Sequence, residues 1–154
     1  MTKTVLLLLA GLCLASAADL PSRKYLNLAA VKTMVAGAEA EMQKRGVQVT
    51  ICIVDDAGNL LFLQRGENTG LNTVQFAQKK ARHAAFYRRP SKTAADTLKG
   101  GNMAILAYPD SFPNQGGVPI QTDGQTLGAI ACSGAASEVD EAIAQAGIDA
   151  LLKK

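Results

Sequence analysis

Few side chains in this 154-residue chain can do chemistry near neutral pH, and one of them is unique: His83 is the only histidine. A single imidazole can act as a general base, a titrating contact or an axial metal ligand, but it cannot build a multi-histidine metal site. It lies in the stretch from Thr73 to Pro90, TVQFAQKKARHAAFYRRP. Lys79, Lys80, Arg82, Arg88, Arg89 and then Lys92 make this region strongly basic, and no acid occurs between Glu67 and Asp96. At 100° per residue the stretch divides into two faces. Val74, Ala77, Ala81, Ala84 and Ala85 form a narrow stripe that lets a helix backbone approach a flat sheet. His83 points away from that stripe, among Phe76, Lys79, Lys80, Phe86 and Tyr87. Two readings stand. The aromatic and cationic face receives a ligand or partner, or it is covered by a loop or a second subunit and His83 is a spectator.

Other chemistries find little support. The chain has no H-E-x-x-H, C-x-x-C, G-x-S-x-G or phosphate-cradling glycine loop. Ser133 or Cys132 with His83 would make a nucleophile and base pair, but nothing in their spacing requires it. Asp55-Asp56 could hold a cation, although two carboxylates in a glycine-containing turn usually form a solvated turn. The glycines of Gly116-Gly117-Val118-Pro119-Ile120 either admit a close backbone approach or shape a loop.

The elements that must position these residues follow in chain order. Met1 to Ala17 reads as a secretory signal peptide: Lys3 is the positive n-region, Val5 to Leu14 the apolar run, and Ala15-Ser16-Ala17 the cleavage site. The apolar run is short for a membrane span, and no later stretch approaches that length. The mature domain, Ala18 to Lys154, is about 137 residues, one domain's worth of chain. Loss of Lys3 lowers the formal net charge from +3 to +2, a balance that does not call for nucleic acid. Its two cysteines, Cys52 and Cys132, sit in apolar strand-like runs and read as free buried thiols unless their strands prove adjacent.

Asn27 caps a helix to Arg45 with Leu28, Val31, Met34, Val35, Ala38 and Met42 on one face and Gly46 as its stop. Val47 to Val54 and Leu60 to Gln64 read as strands joined by a turn. After the His83 helix, ended by Pro90, Ser91 caps a short helix to Leu98. Met103 to Tyr108 is a strand or a helix end. Val118 to Gln121 and Gln125 to Ser133 flank Asp123-Gly124, a hairpin signal. Ser137 and Asp140 resemble a capping box before a last helix with Val139, Ile143, Ala146, Ala150 and Leu151 on its apolar side. The pattern is α+β: an antiparallel sheet of about five strands with helices packed on it.

Several of these motifs together resemble a known family. They are Val49 to Gly58 (VTICIVDDAG), Lys79-Lys80-Ala81-Arg82 with Arg89-Pro90, Gly116-Gly117-Val118-Pro119-Ile120 with Asp123-Gly124, Leu127-Gly128-Ala129-Ile130 running into Ser133-Gly134, and Asp140-Glu141 with Ala146-Gly147. In this combination the chain, from about Leu26 to Leu152, resembles the GlcG/HbpS family of haem-binding proteins, which is similar to the C-terminal domain of PduO-type proteins. The resemblance implies a profilin-like fold with a five-stranded antiparallel sheet flanked by helices, self-association into homo-oligomers, and haem binding. It also implies that the first and last strands are central neighbours, with Ile51-Cys52-Ile53 beside Ala131-Cys132, which would bring the two thiols close.

On these grounds the leading expectation is a secreted or periplasmic haem-binding protein acting in storage, scavenging or sensing. Haem needs an axial donor, flat apolar contacts and cations for two propionates. His83 supplies a donor and Tyr87 a second one. Phe76, Phe86 and Tyr87 supply contacts, and Lys79, Lys80, Arg82 or Arg89 supply charge. The alternatives are an oligomeric interaction module built on the same face, with Glu67 and Asp96 answering its cations, and a small-molecule enzyme using His83 as general base.

Overall fold

The computed structural model describes residues 19–153; the expected signal peptide lies outside the described residues. Helix α1 (Leu28–Lys44) starts at Asn27, whose side chain accepts the Ala30 N–H at 2.8 Å, and stops at Gly46, in the left-handed region at φ 64°. Strand β1 (Thr50–Asp55) turns through Asp55–Asn59 into β2 (Leu60–Gln64). Helix α2 (Thr73–Tyr87) carries His83 and is followed by α3 (Ser91–Lys99). Strands β3 (Gly117–Thr122) and β4 (Gln125–Ser133) form a hairpin, and α4 (Ser137–Leu152) closes the described chain. The hairpin turn places Asp123 and Gly124 both at positive φ, 48° and 73°, as a two-residue turn matched to strand twist requires. No helix among the described residues is long and apolar enough to cross a membrane.

The sheet is antiparallel with order β2-β1-β4-β3. The fold is therefore α+β as expected, but among the described residues it has four strands rather than five. The segment read as a strand or helix end, Met103–Ala107, is a 3-10 helix begun by the Asn102 side chain, which accepts the Ala104 N–H. Only Ile105 in it is buried; it offers no alternating apolar face that a sheet edge could use.

Helices α1 and α4 cover one face of the sheet, burying Val31, Met34, Ile51, Ile53, Ile130 and Ile143. Helix α2 lies on the other. There its alanines, Ala77, Ala81, Ala84 and Ala85, pack on Cys52, Val54, Ala129 and Ala131. Small side chains on both partners let the α2 backbone come close to the sheet, as the stripe in the sequence anticipated.

Cys52 and Cys132 lie on adjacent central strands, yet they are free. Cys132 pairs with Ile51, and Cys52 with Ala131. This one-residue offset sends the two thiols to opposite faces of the sheet. Cys132 joins the α1/α4 core and Cys52 the α2 core.

Two expected caps are used differently. Ser91 Oγ donates to the Asn114 carbonyl and accepts the Gly117 N–H, so it ties the α3 start to the 109–117 segment. Asp140 does not form a capping box with Ser137. Its Oδ1 accepts the Ala135 N–H at 3.0 Å and its other oxygen meets a lysine. The buried row of α4 is accordingly Asp140, Ile143, Ala144, Gly147 and Ile148; of the face expected, Ile143 lies in it and Val139 and Leu151 pack at its margin, partly buried.

Candidate functional site

Helix α2 places the sequence-selected residues in two distinct environments. The first surrounds His83. The imidazole is wholly buried, at 0% exposure, and not displayed on an open face as its helical phase suggested. The segment from Pro109 to Gln115 covers it. The Phe112 N–H donates to His83 Nδ1 at 3.1 Å, the Tyr87 hydroxyl donates to the Pro109 carbonyl at 2.6 Å, and Arg82 Nε and one terminal nitrogen donate to Asp110 Oδ1 at 3.1 Å. Phe112 meets Phe76 edge-on at 5.3 Å between centroids, with the Lys79 ammonium 5.7 Å from its ring centre. The Tyr87 ring lies 4.6 Å from the imidazole. The same segment therefore ties down the lone histidine and its aromatic neighbours. Sequence periodicity could not show this, because the covering residues arrive 22 to 29 positions later in the chain.

Because Nδ1 accepts a backbone N–H, the neutral ring carries its proton on Nε2. That nitrogen is buried and has no hydrogen-bond partner among the described residues. Burial holds the His83 pKa below its ordinary value; the nearby Asp110 backbone opposes this, and the positive Arg89 adds to it. In this arrangement His83 offers closed space an N–H and not a lone pair. Among the described residues no carboxylate is hydrogen-bonded to it, so nothing there orients it for the general-base reading.

Phe86 is exposed, with the Arg82 guanidinium 5.2 Å over its ring, and Arg89 sits 5.7 Å from the Tyr87 ring centre. Lys79, Arg82, Phe86, Tyr87 and Arg89 thus share one outer surface of α2 with the 109–115 segment. Lys80 does not belong to it.

Lys80 defines the second environment. It is 2% exposed, and its Nζ donates to Asp140 Oδ2 at 2.9 Å and to the Cys132 carbonyl at 3.1 Å. The ammonium points through the α2–β4 junction toward α4. Gly116 and Gly117 make room for it. A Cβ on Gly117 would stand 2.4 Å from the Lys80 carbonyl oxygen, and one on Gly116 2.8 Å from Nζ. The glycine pair of the GGVPI motif therefore admits a close approach by the chain's own lysine. A polar cleft of about 320 Å³ opens above the ion pair, lined among others by Asn72, Thr73, Phe76, Asn114, Ser133 and Ser137. Sequence reasoning missed this cleft. The signals that could have found it, a lysine on the helix face next to the alanines and an Asp heading the α4 apolar pattern, are visible only once both are known to be buried.

The remaining candidates resolve simply. Asp55 Oδ1 accepts the Ala57 and Asn59 N–H groups at 2.9 and 2.8 Å, and Asp56 pairs with Arg23, which is a turn held by its own aspartate. Among the described residues no group of three or more His, Cys, Asp or Glu side chains could hold a metal ion. Ser133 lines the Lys80 cleft, whereas His83 bonds the 109–115 segment. Burial pushes the Cys52 thiol up to about 12 and raises that of Cys132 as well, so neither is an activated nucleophile.

Residues 26–149 match the family model described as haem degrading protein HbpS-like. The chain is 35% identical over 100 residues to the protein GlcG of Escherichia coli strain K12, covering 65% of this chain and 75% of that protein. It is 28% identical over 131 residues to an uncharacterised 15.0 kDa protein from the dhaT-dhaS intergenic region of Citrobacter freundii, covering 80% and 90%. The crystal structure of HbpS superposes with a TM-score of 0.80 at 28% identity, covering 91% of this chain and 99% of that one. PduOC in complex with heme shares the fold, with a TM-score of 0.77 at 24% identity over 84% and 96% of the two chains.

Proposed function

This chain belongs to the HbpS-like family of haem degrading proteins, and from that premise we propose that it binds haem on the outer face of α2 once the 109–115 segment lifts. One observation carries the proposal: both candidate axial donors, His83 and Tyr87, are tied by direct hydrogen bonds to that single segment. Closed, the site does not fit haem. The His83 ring is buried and the proton on Nε2 occupies the position a ligand's lone pair would need. Lifting the segment frees Nδ1 to take the proton and Nε2 to donate, and releases Arg82 from Asp110. Phe76, Phe86 and Phe112 then offer flat contacts, and Lys79, Arg82 and Arg89 offer cations for propionates. Lys80 takes no part, because it is buried against Asp140 and the Cys132 carbonyl and does not reach the outer face. When bound, haem would supply the iron chemistry; the chain's residues bind and orient it.

The proposal extends to an exported, self-associating protein that stores, scavenges or senses haem, with a profilin-like fold. Support for export is the signal-peptide pattern in the sequence of residues 1–17, and support for self-association is the edge strand β2 with Leu60 and Leu61 exposed.

The test is a haemin titration of the protein beginning at Ala18, followed by absorbance, for wild type, His83→Ala, Tyr87→Phe and Phe112→Gly. A saturable Soret band that forms faster in Phe112→Gly and is lost in His83→Ala is expected. A band lost only in Tyr87→Phe moves the ligand to Tyr87. A band unchanged in all three variants, or none at micromolar haemin, overturns the assignment.

A further inference from the structure

We infer that the cleft over the Lys80–Asp140 pair is a second binding site, separate from the α2 outer face, and that it takes a small carboxylate. The inference begins with an inventory of hydrogen-bonding capacity. An ammonium has three N–H donors and no acceptor. Lys80 spends one on Asp140 Oδ2 and one on the Cys132 carbonyl, which leaves a third. Asp140 has both oxygens engaged, one by Lys80 and the other by the Ala135 N–H. The buried carboxylate is thus satisfied while its partner retains a donor, so the floor of the cleft has donor capacity to spare.

The walls add to it. The first N–H groups of a helix have no partner within the helix. Helix α4 begins at the mouth of the cleft with Ser137, and the residue before it, Ala136, supplies no side-chain cap. Its 16-residue length gives that end a positive partial charge. Ser133, 4% exposed, Asn72 and Asn114 line the same space. Phe76 gives one apolar wall.

Size and charge narrow the occupant. At about 320 Å³ the cleft is at the small end of ligand pockets, too small for a porphyrin. Among the described residues that line the cleft, Lys80 is joined by no second cation that could balance a doubly charged phosphate. A monoanion with a short polar or apolar tail suits the donors, the charge and the Phe76 wall.

Binding is read from amide chemical shifts of the full mature chain titrated with sodium lactate, with glycerol as an uncharged probe of similar size and inorganic phosphate as the dianionic one. Lactate is expected to shift the Gly134 and Ser137 amides saturably. Ser133→Ala is expected to weaken this about three- to tenfold, the worth of one hydrogen bond. Asn114→Leu, which fills the cleft from its rim without touching the ion pair, is expected to abolish it. Saturable shifts with glycerol or phosphate but not lactate overturn the carboxylate assignment. No saturable shift with any probe at millimolar concentration, or lactate binding unchanged in Asn114→Leu, overturns the site. The two sites share Phe76, and Asn114 lies in the 109–115 segment; the haem reading is tested apart from this one at His83 and Tyr87, which do not line the cleft, so lactate binding retained in His83→Ala separates the failure of one reading from that of the other.

Discussion

Lys80 Nζ and Asp140 Oδ2 meet 2.9 Å apart with both side chains almost wholly buried, although sixty residues separate them. The pair joins α2, which covers one face of the sheet, to α4, which covers the other, and passes beside the Gly116-Gly117 backbone to do so.

Removing one partner strands the other charge in the interior. Lys80→Met or Asp140→Leu is expected to cost about 3–5 kcal/mol, whereas the double substitution costs less than either single change because no unpaired charge remains. Urea unfolding of the three variants measures this; additive losses would show that the two groups do not act as a pair.

The glycine pair should be intolerant in proportion to its crowding. Gly117→Ala brings a methyl within 2.4 Å of a backbone oxygen that cannot swing aside, so a loss of about 3 kcal/mol is expected. Gly46→Ala meets nothing within 4 Å and suffers only the left-handed strain at φ 64°, about 1 kcal/mol. Thermal unfolding should rank them in that order.

His83 makes stability depend on pH with a definite sign. Its folded pKa lies below the ordinary value of 6.5, so the unfolded chain takes up the proton first as pH falls. The contribution is fully present above about pH 6.5 and declines below it, by up to ~1.4 kcal/mol per pH unit. In denaturant titrations at pH 7.5 and 5.5, His83→Gln should lose less stability than wild type. The protection factor of the Phe112 amide, whose acceptor is Nδ1, should fall over the same range in wild type once the slower intrinsic exchange at lower pH is divided out. Equal losses in both proteins would place His83 outside the pH response.

The two thiols should be silent in the native state. With the Cys52 pKa pushed from 9.0 to about 12, the thiolate fraction near neutrality falls about a thousandfold, and burial blocks reagent besides. Non-reducing mass analysis should find no disulfide, and a thiol reagent should react only on unfolding. A native 52–132 bridge would contradict the register that sends them to opposite faces.

The amino-acid sequence by itself determined the α+β class and most of its elements, though not the number of strands. Apolar, strand-like runs marked β1 and β4, Asp123-Gly124 marked the β3–β4 hairpin, Asn27 and Gly46 bounded α1, and the alanine stripe of α2 announced close contact with a sheet. These are local signals, written within one turn or one strand. The motifs quoted for the family resemblance were legible for the same reason, and the family model matches residues 26–149. Tertiary structure alone decided which polar residues are inside. Phase put Lys80 and His83 on an apparently outer face of α2, but a partner 60 residues away drew the lysine in, and a segment some 29 residues away closed over the imidazole. Asp140 hid the true phase of α4 in the same way, since a charged residue leads the buried row Asp140, Ile143, Ala144, Gly147, Ile148. A buried charge is tolerated only when its partner is present. That partner belongs to another element, so periodicity within one helix cannot reveal it.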